Sequence, residues 1–299
     1  MLKRNELGSK KIVISNPAHL KIKNSNLCVV QDNTEYIVPT EDIGMLILED
    51  KGITLSNSVL SVFAENNVSI LSCNSSHLPV SLSLPFQNHS HQFKRLIQQI
   101  NMTEPFKKQL WQSIIIVKVL NQATCLEGIG KADSSAQLLY LSKLVKSGDS
   151  TNIESQAAKL YFTALFGNEF TRREDNGVNS CLNYGFAIIR AEIARMISAY
   201  GFIPSIGIKH KNEYNNFNLA DDLIEPYRPF VEQWVANNVT NESKLDTKTK
   251  KELLNLLNVE VNMQNKKYEI SYAIEKTVIS LVDCINNQSS SLIILPRLT

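Results

Sequence analysis

Apolar positions change their spacing once along this chain. Up to about Pro85 they fall in short runs rich in Ile and Val: Lys11–Ser15, Leu20–Lys23, Leu27–Gln31, Tyr36–Val38, Met45–Leu48, Ile53–Leu55 and Val68–Ser72. Short β-branched runs bounded by turn residues predict strands. Asn16-Pro17, Asn24-Ser25-Asn26 and Asp32-Asn33 supply turn chemistry between them. In the same stretch Val59, Leu60, Val62 and Phe63 have helical spacing, which predicts a short helix over Ser58–Glu65.

After Phe86 the period lengthens. Helical spacing runs through Phe93–Ile100, Glu104–Glu127, Ala132–Lys146, Ile153–Phe166, Val178–Tyr200, Leu219–Asn237, Thr247–Asn258 and Tyr268–Asn286, with Gly130, Gly148, Gly167, Gly177 and Gly201 as punctuation. A β run followed by a helical run, without alternation, argues against a doubly wound sheet. It predicts an α+β chain: a mostly β domain over residues 1–85, then a larger all-α domain over 86–299. Asn237–Lys251 is polar and reads as an exposed helix connection. Asn286–Ser291 reads as a short flexible linker, leading to an apolar tail, Leu292–Leu298, that has to dock on something.

Composition narrows the class. With 299 residues, 43% hydrophobic and 20% charged, the chain can build a substantial core. A formal net charge of +2 does not announce a nucleic-acid binder, so a DNA-binding role requires cations gathered on one face. The five cysteines, Cys28, Cys73, Cys125, Cys181 and Cys284, show no paired metal spacing, and their odd number suits reduced thiols in a cytoplasmic protein. Met1–Ser9 lacks the apolar stretch of a signal peptide, and Ile114–Val117 and Leu292–Leu295 are far too short to span a membrane. Phosphate-binding loops, zinc-protease helices and serine-hydrolase elbows are absent as motifs.

Three segments carry one kind of chemistry. They are Glu154-Ser-Gln-Ala-Ala-Lys-Leu-Tyr-Phe162, Gly207-Ile-Lys-His-Lys211 and Asn218-Leu-Ala-Asp-Asp-Leu-Ile-Glu-Pro-Tyr-Arg-Pro229. Carboxylate, imidazole and carboxylate together suit a divalent cation such as Mg²⁺ or Mn²⁺. Each has a plainer reading beside it. Thr151-Asn-Ile-Glu154 fits a capping box, with Glu154 closing the start of its helix. His210, between Lys209 and Lys211, fits a solvated loop. Asp221 and Asp222 fit a helix start capped by Asn218. Glu225 fits that last reading poorly, because Pro226 pushes the residue before it away from helical geometry. Of the other histidines, His89-Ser-His91 reads as surface loop. Lys159, Arg172, Arg173, Lys209 and Arg228 are candidate phosphate contacts, and Tyr184, Tyr214 and Tyr227 candidate stacking groups for bases.

Together the segments resemble the CRISPR-associated protein 1 family, the integrase that inserts new spacers into CRISPR arrays. The resemblance runs over nearly the whole chain and is carried by Glu154–Phe162, Asn179-Ser-Cys-Leu-Asn-Tyr-Gly185, Gly207–His210 and Asp222-Leu-Ile-Glu-Pro-Tyr-Arg-Pro229. The Glu-Pro-Tyr-Arg-Pro ending looks most like members from type II systems. The resemblance implies a β-rich dimerisation domain and a helical domain with a metal held by Glu154, His210 and Glu225, the last an aspartate in many members. Asp222 matches a further acidic position, and Asn179, Asn183 and Tyr184 match a motif near the family's active site. It implies insertion of a short double-stranded DNA fragment into a repeat by 3′-hydroxyl attack on a phosphodiester. It implies two dimers bridged by CRISPR-associated protein 2, joined in type II systems by the RNA-guided effector nuclease. Two other functions use the same residues or explain them away: a stand-alone nuclease for branched DNA, and a non-catalytic DNA-end-binding scaffold. The apolar tail is expected to pack on the bridging partner or on its own helical domain.

Overall fold

The computed structural model describes residues 10–75, 78–85 and 90–298. His77 and His89 lie outside the described residues. Two compact units emerge: one ends at Gln92 and also takes in Arg195–Phe202, and the other comprises Phe93–Ala194 and the chain from Ile203 onward.

The first unit contains β1 (Lys10–Ile14), β2 (His19–Lys23), β3 (Asn26–Gln31), β4 (Thr34–Pro39), β5 (Ile43–Leu48), β6 (Thr54–Leu55), α1 (Asn57–Glu65), β7 (Ser69–Cys73) and β8 (Pro79–Ser83). One sheet has the order β1-β5-β7-β8 and the other β4-β3-β2-β6. β1, β5 and β7 run parallel, with Ile12 opposite Leu46 and Leu46 opposite Ile70. The β2–β3 and β3–β4 hairpins turn on the residue pairs Asn24-Ser25 and Asp32-Asn33, all four at positive φ. That is the turn whose twist matches paired strands, and Asn and Asp tolerate it best among residues with a side chain. Leu20 and Leu27 from one sheet, Ile43 and Leu46 from the other and Val59 and Phe63 from α1 share a single buried core. The sequence reading ends its strands at Ser72 and misses β8, whose Pro79-Val-Ser-Leu-Ser83 carries few bulky groups and is half-exposed.

The second unit is built on α3 (Glu104–Gly128), which follows α2 (Gln92–Ile100). α3 buries Leu110, Ile114, Ile115, Val119, Ala123 and Leu126 at helical spacing. It packs against α4 (Ala132–Leu144), α5 (Ile153–Phe166) and α8 (Arg228–Asn238). The remaining helices are α6 (Gly177–Ala199), α7 (Asn218–Leu223), α9 (Thr247–Asn255) and α10 (Ile270–Asn287).

Three sequence expectations need correction. The single helix expected over Leu219–Asn237 is broken: α7 stops at Leu223, Glu225–Tyr227 tightens into a 3₁₀ turn, and α8 starts at Arg228. Pro226 and Pro229 have no N–H to continue the ladder, and each ring crowds the carbonyl four residues earlier. Second, the helical unit also holds a hairpin, β9 (Glu260–Met263) with β10 (Lys266–Glu269), turning on Gln264-Asn265 at positive φ. Third, Asn286–Ser291 is no linker: α10 continues to Asn287, and Ser290–Leu292 forms a 3₁₀ turn.

The apolar tail docks on its own unit. Buried Asn121 of α3 donates through Nδ2 to the carbonyls of Pro226 and Pro296, and its Oδ1 accepts from Leu298 N. Thr277 and Ser280 of α10 bind both backbone groups of Ile294. One buried amide thus ties the tail and the turn carrying Glu225 to the central helix.

Candidate metal centre

Glu154 stands in the first turn of α5, and a different acid caps that helix. Asp149 Oδ1 and Oδ2 accept from the N–H groups of Ile153 and Glu154, at 2.8 and 3.0 Å. Asn152, in the left-handed region, turns the chain so that Asp149 can reach. The capping box is therefore not formed, and the Glu154 carboxylate goes to Lys118 of α3, with Oε1 2.7 Å from Nζ.

Lys118 also meets Glu225, whose Oε2 lies 2.5 Å from the same Nζ. Glu225 Oε1 accepts from Arg228 Nε at 2.8 Å. Burial would raise the Glu225 carboxyl, but Lys118 and Arg228 beside it bring it down to about 2. Glu225 is thus an anion at every working pH, in a site where its two oxygens face two different cations.

His210 is fixed from behind by Asp222. That carboxylate is wholly buried and accepts the backbone N–H groups of Ile208, Lys209 and His210, and its Oδ1 meets His210 Nδ1 at 2.7 Å. Gly207 belongs to the same knot. A β-carbon there would stand 2.5 Å from the His210 carbonyl and 2.8 Å from Asp222 Oδ2. With Nδ1–H committed to the carboxylate, Nε2 keeps its lone pair for a ligand, the second-layer arrangement typical of metal-bound histidine. The hydrogen bond to Asp222 raises the His210 pKa above its ordinary value. Trp111 meets the ring edge-on at 5.8 Å. The imidazole borders an open cleft of about 500 Å³ lined also by Lys107, Gly207, Lys211 and Asn212.

The acids of the third segment therefore separate by task. Asp221 binds Arg190, Asp222 holds the His210 loop, and Glu225 faces Lys118 and Arg228. Asn218 does not cap α7. Its side chain binds the Ser205, Asn212 and Asn215 carbonyls instead.

Among the described residues, no three His, Cys, Asp or Glu side chains stand close enough as they are to hold an ion. The donor chemistry nevertheless suits one. Two carboxylates from different elements already converge on a single positive charge, the Lys118 ammonium. Glu225 Oε2, though in contact with it, has no aligned hydrogen bond.

Residues 12–269 match the family model described as CRISPR associated protein Cas1. A CRISPR-associated endonuclease Cas1 from Neisseria meningitidis serogroup C (strain 8013) is 36% identical over 292 residues, spanning 97% of this chain and 96% of that one. The chain belongs to the Cas1 family. Two solved structures share its fold. A chain of a Cas6-RT-Cas1–Cas2 complex aligns at TM-score 0.77 and 17% identity, covering 98% of this chain and 36% of that longer one. A casposase bound to integration product aligns at 0.75 and 19% identity, covering 94% and 92%.

Within this Cas1 member, the motif Asn179–Gly185 braces the site from one side. Asn179 and Asn183 accept from Arg172, and Asn179 Nδ2 donates to the Thr171 and Glu174 carbonyls. The guanidinium groups of Arg172 and Arg228 both lie over the Phe186 ring. Both arginines thus have partners within the chain, with Arg172 exposed and Arg228 half-buried. Tyr184 and Tyr227 are fully buried and present no face to a base, whereas Tyr214 is exposed. Lys159, Arg173 and Lys209 are exposed.

Sequence reasoning missed Lys118, although a lone lysine in Ile114-Ile-Ile-Val-Lys-Val-Leu120 was a visible signal. It also missed Glu232, which is buried beside this cluster with Oε2 unpaired. Burial pushes the Glu232 carboxyl up to about 7, against the pull of Lys118 and Arg228. Between pH 4.5 and about 7 the folded chain holds a proton that the unfolded chain has released. The stability tied to that proton is complete below pH 4.5 and lost as pH rises through about 7. Glu232→Gln keeps the shape and removes the charge. Urea unfolding should show it gaining about 3 kcal/mol over the native chain at pH 8, with the gap closing towards pH 5. A gap independent of pH would contradict the buried-acid account.

Proposed function

We propose that this chain is a metal-dependent DNA integrase and endonuclease that inserts short DNA fragments into a CRISPR repeat array. The observation that carries the reading is the meeting of Glu154 and Glu225 on one cation, with His210 locked by Asp222 so that Nε2 remains available. The names of the relatives support it: a curated endonuclease, a casposase bound to integration product, and a complex that contains Cas2.

Glu154, Glu225 and His210 Nε2 are the groups that would hold Mg²⁺ or Mn²⁺, a hard-to-borderline donor set. When bound, the ion supplies Lewis-acid stabilisation of the charge that builds on a phosphodiester oxygen. The chain's own residues do the rest. Asp222 fixes the imidazole tautomer and its orientation. Lys118 and Arg228 keep Glu225 ionised, and Asn121 holds the turn from which Glu225 projects. In the reaction a new P–O bond forms to the 3′-oxygen of the fragment, the repeat's P–O bond breaks, and the displaced 3′-oxygen takes up a proton. Bond count and proton count are unchanged, so the same centre supplied with water is an endonuclease.

Lys159, Arg173, Lys209 and Lys211, all exposed, would meet the DNA backbone. The β-rich unit would form the homodimer, and two dimers would bridge through CRISPR-associated protein 2 in the cytoplasm, with the effector nuclease of a type II system joining them.

A fluorescent fragment, a repeat-bearing plasmid and CRISPR-associated protein 2 test this directly. Insertion at the repeat end that needs Mg²⁺ or Mn²⁺ and stops with chelator is the expected result. Cutting of branched DNA without insertion would favour a stand-alone nuclease. Products that form equally well in chelator would overturn the metal reading.

A further inference from the structure

The metal reading leaves Lys118 unexplained. It sits on α3, with a side chain only 10% exposed, and an ammonium in such a place is costly unless closely paired. Its partners are the two carboxylates from separate elements that the metal reading assigns as ligands. Without some cation between them, Glu154 and Glu225 would repel one another across a largely buried site. Arg228 cannot serve both, because it is committed to Glu225 Oε1. The fit of the ammonium is also imperfect. It touches Glu225 Oε2 without an aligned hydrogen bond, as a directional donor set does where a spherical ion would suit better. Lysine, on a flexible four-carbon stem, is the cation best able to withdraw.

We propose that Lys118 is a built-in placeholder for the metal: its ammonium holds Glu154 and Glu225 together while no ion is bound, and it must leave them when a divalent cation enters. The inference rests on the metal reading of the same site. Its consequence is a threshold. Metal affinity is set by competition with the chain's own lysine, and the bridging ammonium spares the metal-free site from like-charge repulsion.

The test is Mn²⁺ binding to the full-length chain without DNA, followed by electron paramagnetic resonance, together with thermal melting with and without Mn²⁺. Native protein, Lys118→Met, Lys118→Gln and Glu154→Gln are compared. A placeholder predicts Mn²⁺ binding at least tenfold tighter in both Lys118 variants. It also predicts a lower melting point than native without metal, and a larger rise on adding Mn²⁺. General damage to the fold would weaken binding instead. Native and Lys118 variants binding Mn²⁺ equally, or the variants binding it more weakly, would overturn the placeholder while leaving the metal reading intact. Native protein binding Mn²⁺ no better than Glu154→Gln would overturn both.

Discussion

Glu154→Gln should lose strand transfer by about 10³-fold or more while melting within about 1 °C of the native chain. Both halves of that expectation come from the site. The Glu154 side chain is part-exposed and makes no cap, because Asp149 binds the open N–H groups at the start of α5. Lys118 keeps Glu225 as a partner when Glu154 loses its charge. What disappears is one of two anionic oxygens facing the position of the proposed ion. His210→Ala belongs to the same class, since its side chain is 44% exposed and the Asp222 carboxylate keeps its three backbone donors. A gel assay of strand transfer on both variants separates an enzyme from a DNA-end scaffold. A scaffold would keep full activity in each.

Glu225→Ala should behave differently, losing activity and also about 3–5 kcal/mol of stability. Removing this carboxylate leaves half-buried Arg228 without its ion pair and buried Lys118 with one partner instead of two. The depressed pKa gives an independent figure. A carboxyl brought from 4.5 to about 2 contributes roughly 3 kcal/mol, present above pH 4.5 and lost as pH falls through about 2. For a helical unit of this size the expected drop in melting temperature is on the order of 10 °C. Glu225→Asp keeps the charge and should recover most of the stability. Calorimetry of the three proteins at pH 7 checks this, and an unchanged melting point for Glu225→Ala would contradict the buried-cation account.

Much of this was legible before any coordinates. The switch from β-branched runs to helical spacing predicts the strands before α2 and the helices after it, and α5 spans Ile153–Phe166 as its periodicity predicts. The turns Asn24-Ser25 and Asp32-Asn33 announce themselves by residue type. Gln264-Asn265 does not, because glutamine is an uncommon choice at positive φ, and β9–β10 went unseen. The helix break at Pro226 was visible as chemistry but not as a 3₁₀ turn. The site divides the same way. Glu154, His210, Asp222 and Glu225 stand out as acids and an imidazole in recognisable segments. Their partners do not, because Lys118, Asp149 and Asn121 act through contacts that only the fold creates. A threonine three residues before a glutamate imitates a capping box, yet a left-handed Asn152 hands that task to Asp149. Tyr184 and Tyr227 look like stacking groups in sequence and are core in three dimensions, since nothing local distinguishes a tyrosine facing DNA from one facing leucines.

The most direct measurement is a crystal soaked in Mn²⁺ and recorded at the manganese edge. The account predicts one strong anomalous peak per chain, within bonding distance of Glu154, Glu225 and His210 Nε2, with the Lys118 ammonium displaced from between the carboxylates. A peak elsewhere, or none while Lys118 still bridges Glu154 and Glu225, would contradict it.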